Sequence, residues 1–293
     1  MRRIGDWRLV SRLHDGGMAQ VWLAQRGDEP AVVLKLVHER FAEDAKLREM
    51  LEEEARIAAK VTHPNVIRIL EVDEVDEIPY LVMERCDGRT LAALLTASVT
   101  FPVPEAVAIA RDTARGLHAA HEAIGADGRP LELVHRDVSP SNVMLGYDGV
   151  VKIIDFGIAW ARGRAIKTSA GTVKGKFRYI APEALTGQTV DRRFDLYALG
   201  IVLWELLTGR RYFDAKNEVD VLMMARSPRW IPARTLRADV PEALDAVLRR
   251  ALAARAADRY PTGAELADAL TAAVPEATAV TPAALGALAA QNR

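Results

Sequence analysis

The run His135-Arg136-Asp137-Val138-Ser139-Pro140-Ser141-Asn142, followed by Asp155-Phe156-Gly157, constrains this chain more than any other stretch. The carboxylate of Asp137 and the carboxamide of Asn142 are five residues apart, and a second carboxylate, Asp155, follows after the span of a short hairpin. That spacing suits a site that transfers a phosphoryl group. One carboxylate orients an acceptor hydroxyl, while an amide and a second carboxylate hold divalent cations against nucleotide phosphates. A fold that carries this chemistry has to bring Asn142 and Asp155 close enough to serve one nucleotide. Both are oxygen donors, which suits hard Mg²⁺ or Mn²⁺.

The chain has 293 residues, enough for a sizeable core in one large domain or two lobes. Its 39 basic and 40 acidic residues leave a net charge of -1, so nothing global points to nucleic acid or to a membrane surface. Cys86 is the single cysteine, which excludes an internal disulfide and fits a reducing compartment. The start, MRRIGDWRLV, lacks the apolar run of a signal peptide. No stretch approaches the ~18 apolar residues of a membrane span. A cytoplasmic location without membrane insertion is therefore expected.

Turn signals at Asp15-Gly16-Gly17 and Gly27-Asp28-Glu29-Pro30 separate expected strands at Trp7–Leu13, Val21–Gln25 and Ala31–Val37. Apolar spacing predicts a helix over 43–60, then strands at Val66–Val72 and Tyr80–Met83. After Asp87-Gly88 the pattern turns helical, over 90–96, 104–124, 195–208, 218–225, 241–253 and 263–272. Two short strand pairs that carry the motifs are expected between the second and third of these. A small sheet followed by a helical body implies an α+β protein with two lobes. The Ala- and Pro-rich tail, 274–293, reads as either a weak helix or a disordered end.

The order of motifs and elements resembles the eukaryotic-like bacterial serine/threonine protein kinases (Hanks-type), over about residues 7–273. The resemblance implies a bilobal fold. A five-stranded antiparallel N-lobe with one main helix would span 7–85, a hinge 84–88 and a helical C-lobe 89–273. It also implies ATP-dependent phosphorylation of protein Ser or Thr, including the activation loop, in a homodimer if autophosphorylation runs in trans. Leu13, His14, Asp15, Gly16, Gly17 and Val21 would form the glycine-rich hairpin over the nucleotide, with His14 and Ala19 standing where the family has glycine. Val33, Lys35, Met83, Glu84, Cys86 and Met144 complete the implied nucleotide site. Lys35 would bind phosphates and pair with Glu54, Met83 would be the gatekeeper, and the backbone of Glu84 and Cys86 would meet the adenine edge. Asp137 would orient the acceptor, with Asn142 and Asp155 as metal ligands and Arg136 as a receiver of activation-loop phosphate. Thr168, Ser169 and Thr172 are the implied phosphosites, in a segment with six basic residues and no acidic one between Phe156 and Pro182. Glu183 would pair with Arg259, and Asp195 would anchor the catalytic loop.

One departure is reciprocal. The family's lysine two residues after the catalytic Asp is Ser139 here, and its threonine after the activation-segment glycine is Lys176. The swap predicts that Lys176 supplies the missing charge while Ser139 supplies the hydroxyl. Two rival readings follow from the same residues. His14, Ala19 and Ser139 would fit a pseudokinase, a nucleotide-binding module without turnover. A small-molecule phosphotransferase would lack the Ala181-Pro182-Glu183 segment and the Asp195 helix, and both are present.

Overall fold

In a computed structural model, residues 2–17, 19–42, 45–155 and 176–291 are described. The elements run β1 (Arg3–Ile4), β2 (Trp7–Asp15), β3 (Ala19–Gln25), β4 (Val32–Val37), α1 (Glu39–Ala42), α2 (Ala45–Ala58), β5 (Ile69–Val75) and β6 (Ile78–Met83). They continue as β7 (Gly88–Thr90), α3 (Leu91–Thr96), α4 (Val103–His121), β8 (Val143–Gly146), β9 (Val151–Ile153), α5 (Pro182–Leu185) and α6 (Arg193–Thr208). The last helices are α7 (Glu218–Arg226), α8 (Glu242–Ala251), α9 (Gly263–Ala273) and α10 (Pro282–Ala290).

The first lobe is an antiparallel sheet in the order β1-β2-β3-β4-β6-β5. Among the described residues it has six strands, one more than expected, because the chain reverses at Gly5 (φ +51°) and pairs Arg3–Ile4 back onto Trp7–Arg8. The core of this lobe comes from residues on one face: Trp7, Leu9, Ala24, Leu34, Leu36, Tyr80 and Val82. The β5 strand sits three residues later than expected. Asp76 and Glu77 both take positive φ, 49° and 60°, and make a two-residue hairpin turn without the usual Asn-Gly signature. Val66 is thereby left outside β5 and bridges in parallel to Ile153.

The second lobe is helical, around a core centred on α4 and α6. The α6 sequence FDLYALGIVLWELL is buried on every side, as a central helix must be. Its carboxyl end stops at Gly209 (φ +64°), which takes the left-handed conformation open to glycine. Thr90, Asn217 and Thr262 cap α3, α7 and α9 by accepting backbone N–H bonds. Two strand pairs were expected ahead of α6. Among the described residues there is one hairpin, β8–β9, with β7 as a third strand on its edge. The residues after 274 form a 3₁₀ turn (Pro275–Thr278) and α10, which packs on β7 and β8. The fit is close: a Cβ on Gly286 would collide with the Tyr147 carbonyl, and one on Gly149 with Pro282. Arg89 Nη1 donates to Gln291 O at 2.6 Å and closes that end. Among the described residues, no helix is long and apolar enough to cross a membrane.

Candidate active site

Strand register puts one set of side chains on one face of the N-lobe sheet. Val21 lies opposite Lys35, Leu23 opposite Val33, and Val33 opposite Met83. Directly opposed residues share a face, as do residues two apart on a strand. Val21, Val33, Lys35 and Met83 therefore form one surface, opposite the Leu34–Leu36 core face. Met83 is buried and ends β6. Leu13 and His14 lie near the end of β2, His14 opposite Val21, beside a register irregularity between Arg12 and His14.

The Glu84 N–H is taken by Arg68 O at 2.9 Å, which leaves its carbonyl as the backbone group there that could meet a ligand. Its carboxylate accepts from Lys152 Nζ at 2.7 Å and from Arg68 N at 2.8 Å, fixing the start of the crossing between lobes. Cys86 is half-buried on the same crossing. Burial pushes its thiol up to about 11, so little thiolate exists near neutral pH. Alkylation of the native protein at pH 7.5 should accordingly be far slower than in denaturant, measured by mass. Met144 lies in β8, opposite Thr90 and Lys152.

Lys35 Nζ reaches Asp155 Oδ1 at 2.7 Å, a charge-assisted contact across the lobes. Burying part of an ammonium requires an anionic partner, and Asp155 supplies it. Glu54 belongs to α2, but its side chain lies outside the described residues. So do the side chain of Lys176 and the whole of Thr168, Ser169 and Thr172.

The catalytic-loop motif is tied to the Asp155 segment by backbone and ring contacts. Ile154 N donates to Asn142 O at 2.9 Å, and His135 Nε2 meets Ile154 O at 3.1 Å. Asp137 N donates to His135 Nδ1 at 3.2 Å, which leaves the ring proton on Nε2 for Ile154. Asn142 Nδ2 donates to Asp137 O at 2.7 Å, which commits the amide nitrogen and leaves the amide oxygen as the group that could meet a cation. Asn142 and Asp155 thus offer oxygen donors on two segments bonded to each other, a set that fits a hard divalent cation. Among the described residues, Asp155 (φ +54°) and Arg136 (φ +62°) are two of the few non-glycine residues with positive φ. Such strain persists only where surrounding contacts over-determine the backbone.

Asp195 provides those contacts under Arg136. It is fully buried and accepts from His135 N, Arg136 N and His121 Nε2, each at 2.8 Å. Glu183 and Arg259, both buried, make two parallel bonds of 2.7 Å. The Arg259 guanidinium also donates to the carbonyls of Arg193, Ala253 and Ala254 and stacks over Tyr197.

Several contacts were not visible in the sequence. Tyr179 Oη donates to Glu205 at 2.7 Å, and Arg211 Nη1 reaches both. Burial raises the Glu205 carboxyl and keeps the Tyr179 hydroxyl protonated. The network holds the end of the activation segment against α6. His121, Lys152, Glu205 and Arg211 gave no linear signal, because each meets its partner only after the helices or strands have packed.

A model of the protein kinase domain matches residues 7–268. The chain belongs to the protein kinase family, in its Hanks-type bacterial form. It is 42% identical over 91% of its length to a tyrosine-protein kinase, MasK, of Myxococcus xanthus, and covers 42% of that protein. It is 32% identical over 89% of its length to the serine/threonine-protein kinase PrkC of Bacillus subtilis, and covers 39% of it. It therefore spans about two-fifths of these relatives. The crystal structure of the Mycobacterium tuberculosis PknI kinase domain superposes with a TM-score of 0.71 at 29% identity, covering 93% of this chain and 98% of that one. Protein kinases use ATP and a divalent metal to phosphorylate proteins.

Proposed function

We propose that this protein transfers the γ-phosphoryl of ATP to Ser or Thr hydroxyls of proteins, its own activation segment included. The observation that carries the reading is the bonded assembly of Lys35, Asp155, Asn142 and Asp137 from three segments. In this account Val21, Val33, Met83 and Met144 sandwich the adenine, while the Glu84 carbonyl and the Cys86 backbone meet its edge. The Leu13–Gly17 loop covers the phosphates. Lys35 orients the α- and β-phosphates, with Glu54 as its partner in the active state. Asn142 and Asp155 would hold the metal, Mg²⁺ or Mn²⁺, and a bound cation neutralises charge on the phosphates. The acceptor oxygen attacks the γ-phosphorus as the β–γ bridging bond breaks, and the hydroxyl proton passes to the Asp137 carboxylate. ADP leaves with the bridging oxygen.

Lys176 begins a 3₁₀ turn at Lys176–Tyr179, beside the buried Tyr179 network. It supplies the positive charge that Ser139 cannot. Removing a charge directed at the transferring phosphoryl group costs about 10²–10³-fold in rate. Lys176→Ala should therefore lose activity on the scale of Asp137→Asn, and near-normal turnover in that variant would refute the swap. Basic Arg162, Arg164, Lys167 and Lys174 favour phosphate on Thr168, Ser169 or Thr172, added in trans within a homodimer.

The acceptor class is tested by incubating the protein with labelled ATP and Mg²⁺ and hydrolysing it to phosphoamino acids. Phosphoserine or phosphothreonine is expected. Phosphotyrosine alone would move the assignment to the class named for the M. xanthus relative.

A further inference from the structure

The tip of the glycine-rich loop is held by two side chains from outside the nucleotide site. His38 Nε2 meets Gly16 O at 2.9 Å, and Arg40 Nη2 donates to Gly17 O at 2.6 Å. His38 also lies 3.3 Å from Asp15 Oδ1. The imidazole is half-buried, 23% exposed, and held by these two contacts. Both residues follow β4 directly, His38 ahead of α1 and Arg40 within it. With Leu36 they line a cavity of about 430 Å³. Leu36 is adjacent to Lys35 in β4, so this cavity lies on the face opposite the one that carries Lys35.

We propose that His38 and Arg40 are positioning residues for the nucleotide phosphates, acting as a latch on the Gly16 and Gly17 carbonyls. The inference rests on the nucleotide-binding reading above. A trans peptide points its C=O and the following N–H in opposite directions. Drawing the Gly16 carbonyl toward His38 turns the Gly17 N–H away from it, off the latch side of the sheet. Gly16 N is itself spent on Ala19 O at 3.0 Å, closing the turn, so it is not available to a phosphate. Adjacent glycines give the tip wide conformational freedom. Two donors on consecutive carbonyls remove much of that freedom before a nucleotide arrives. The latch offsets the mobility of a Gly-Gly tip in a loop whose flanking family glycines are His14 and Ala19.

The test compares adenosine with ADP plus Mg²⁺ by calorimetry. Adenosine reads the base pocket alone, whereas ADP adds the phosphates. His38→Ala/Arg40→Ala should weaken ADP about tenfold, the scale of one or two lost hydrogen bonds, with adenosine affinity unchanged. His38→Gln/Arg40→Lys keeps a donor at each position and should restore ADP affinity. In turnover assays the alanine pair should raise KM for ATP with little change in kcat. Equal ADP affinity in wild type and the alanine pair overturns the latch, as does equal loss of adenosine and ADP. Wild-type protein that binds neither ligand instead overturns the nucleotide reading on which the latch rests.

Discussion

Asp137→Asn should lower phosphoryl transfer by about 10²–10⁴-fold, the usual range for a positioned acid–base group, and leave nucleotide affinity unchanged. The substitution is nearly isosteric. The Asp137 main chain is held independently of its carboxylate, through its N–H to His135 and its carbonyl from Asn142. The loop should therefore keep its shape, and the loss should fall on kcat, with KM for ATP constant. Steady-state kinetics on a generic protein acceptor checks both. A variant with wild-type kcat would remove Asp137 from the chemistry. A variant whose ADP affinity collapses would show that the residue holds the loop and does not aim the acceptor.

Arg259→Ala should destabilise the fold by about 3–5 kcal/mol, because it strands the buried Glu183 carboxylate. For a chain of this size that corresponds to a melting-temperature drop of about 10 °C, read by calorimetry or circular dichroism. The ion pair is 0% and 3% exposed at its two side chains, so solvent cannot replace the lost partner. Glu183→Leu/Arg259→Met removes both charges and should recover part of the loss. Recovery stays incomplete because the carbonyls of Arg193, Ala253 and Ala254 also lose their donor. A melting temperature within a degree or two of wild type in Arg259→Ala would contradict the description of this pair as a structural tie.

The two-lobe architecture was legible because its signals are local. Alternating strands bounded by Gly and Pro turns, and then long apolar helices, follow from side-chain periodicity alone. The errors lie where local signals were absent. β1 is two residues long and exists only because Gly5 folds it back on β2. β5 was displaced because its turn uses Asp76-Glu77, residues that do not advertise positive φ. The tail was ambiguous because an Ala-rich stretch has helical propensity but no visible partner. Its partner, the β7–β8 sheet, is brought beneath it only by the complete fold.

The site was legible to a different degree. Motifs name the residues, since the spacing of Asp137, Asn142 and Asp155 is itself chemical information. Spacing does not give pairings between distant segments. The Lys35 ammonium meets Asp155, 120 residues away, and the strained backbone at Arg136 depends on Asp195, 59 residues on. The loop latch was invisible for the same reason. His38 and Arg40 follow a strand end as ordinary polar residues, and only the β2–β3–β4 register carries the loop tip to them.

The most direct test of the phosphoryl-transfer assignment is intact-mass spectrometry of the purified, phosphatase-treated chain after incubation with ATP and Mg²⁺, beside Asp155→Asn. Wild-type protein should gain one or more phosphates, and the variant, lacking the carboxylate that meets Lys35 and would hold the metal, should gain none. Equal phosphate gain in both proteins, or no gain on wild type and no transfer to an added protein acceptor, would contradict the account.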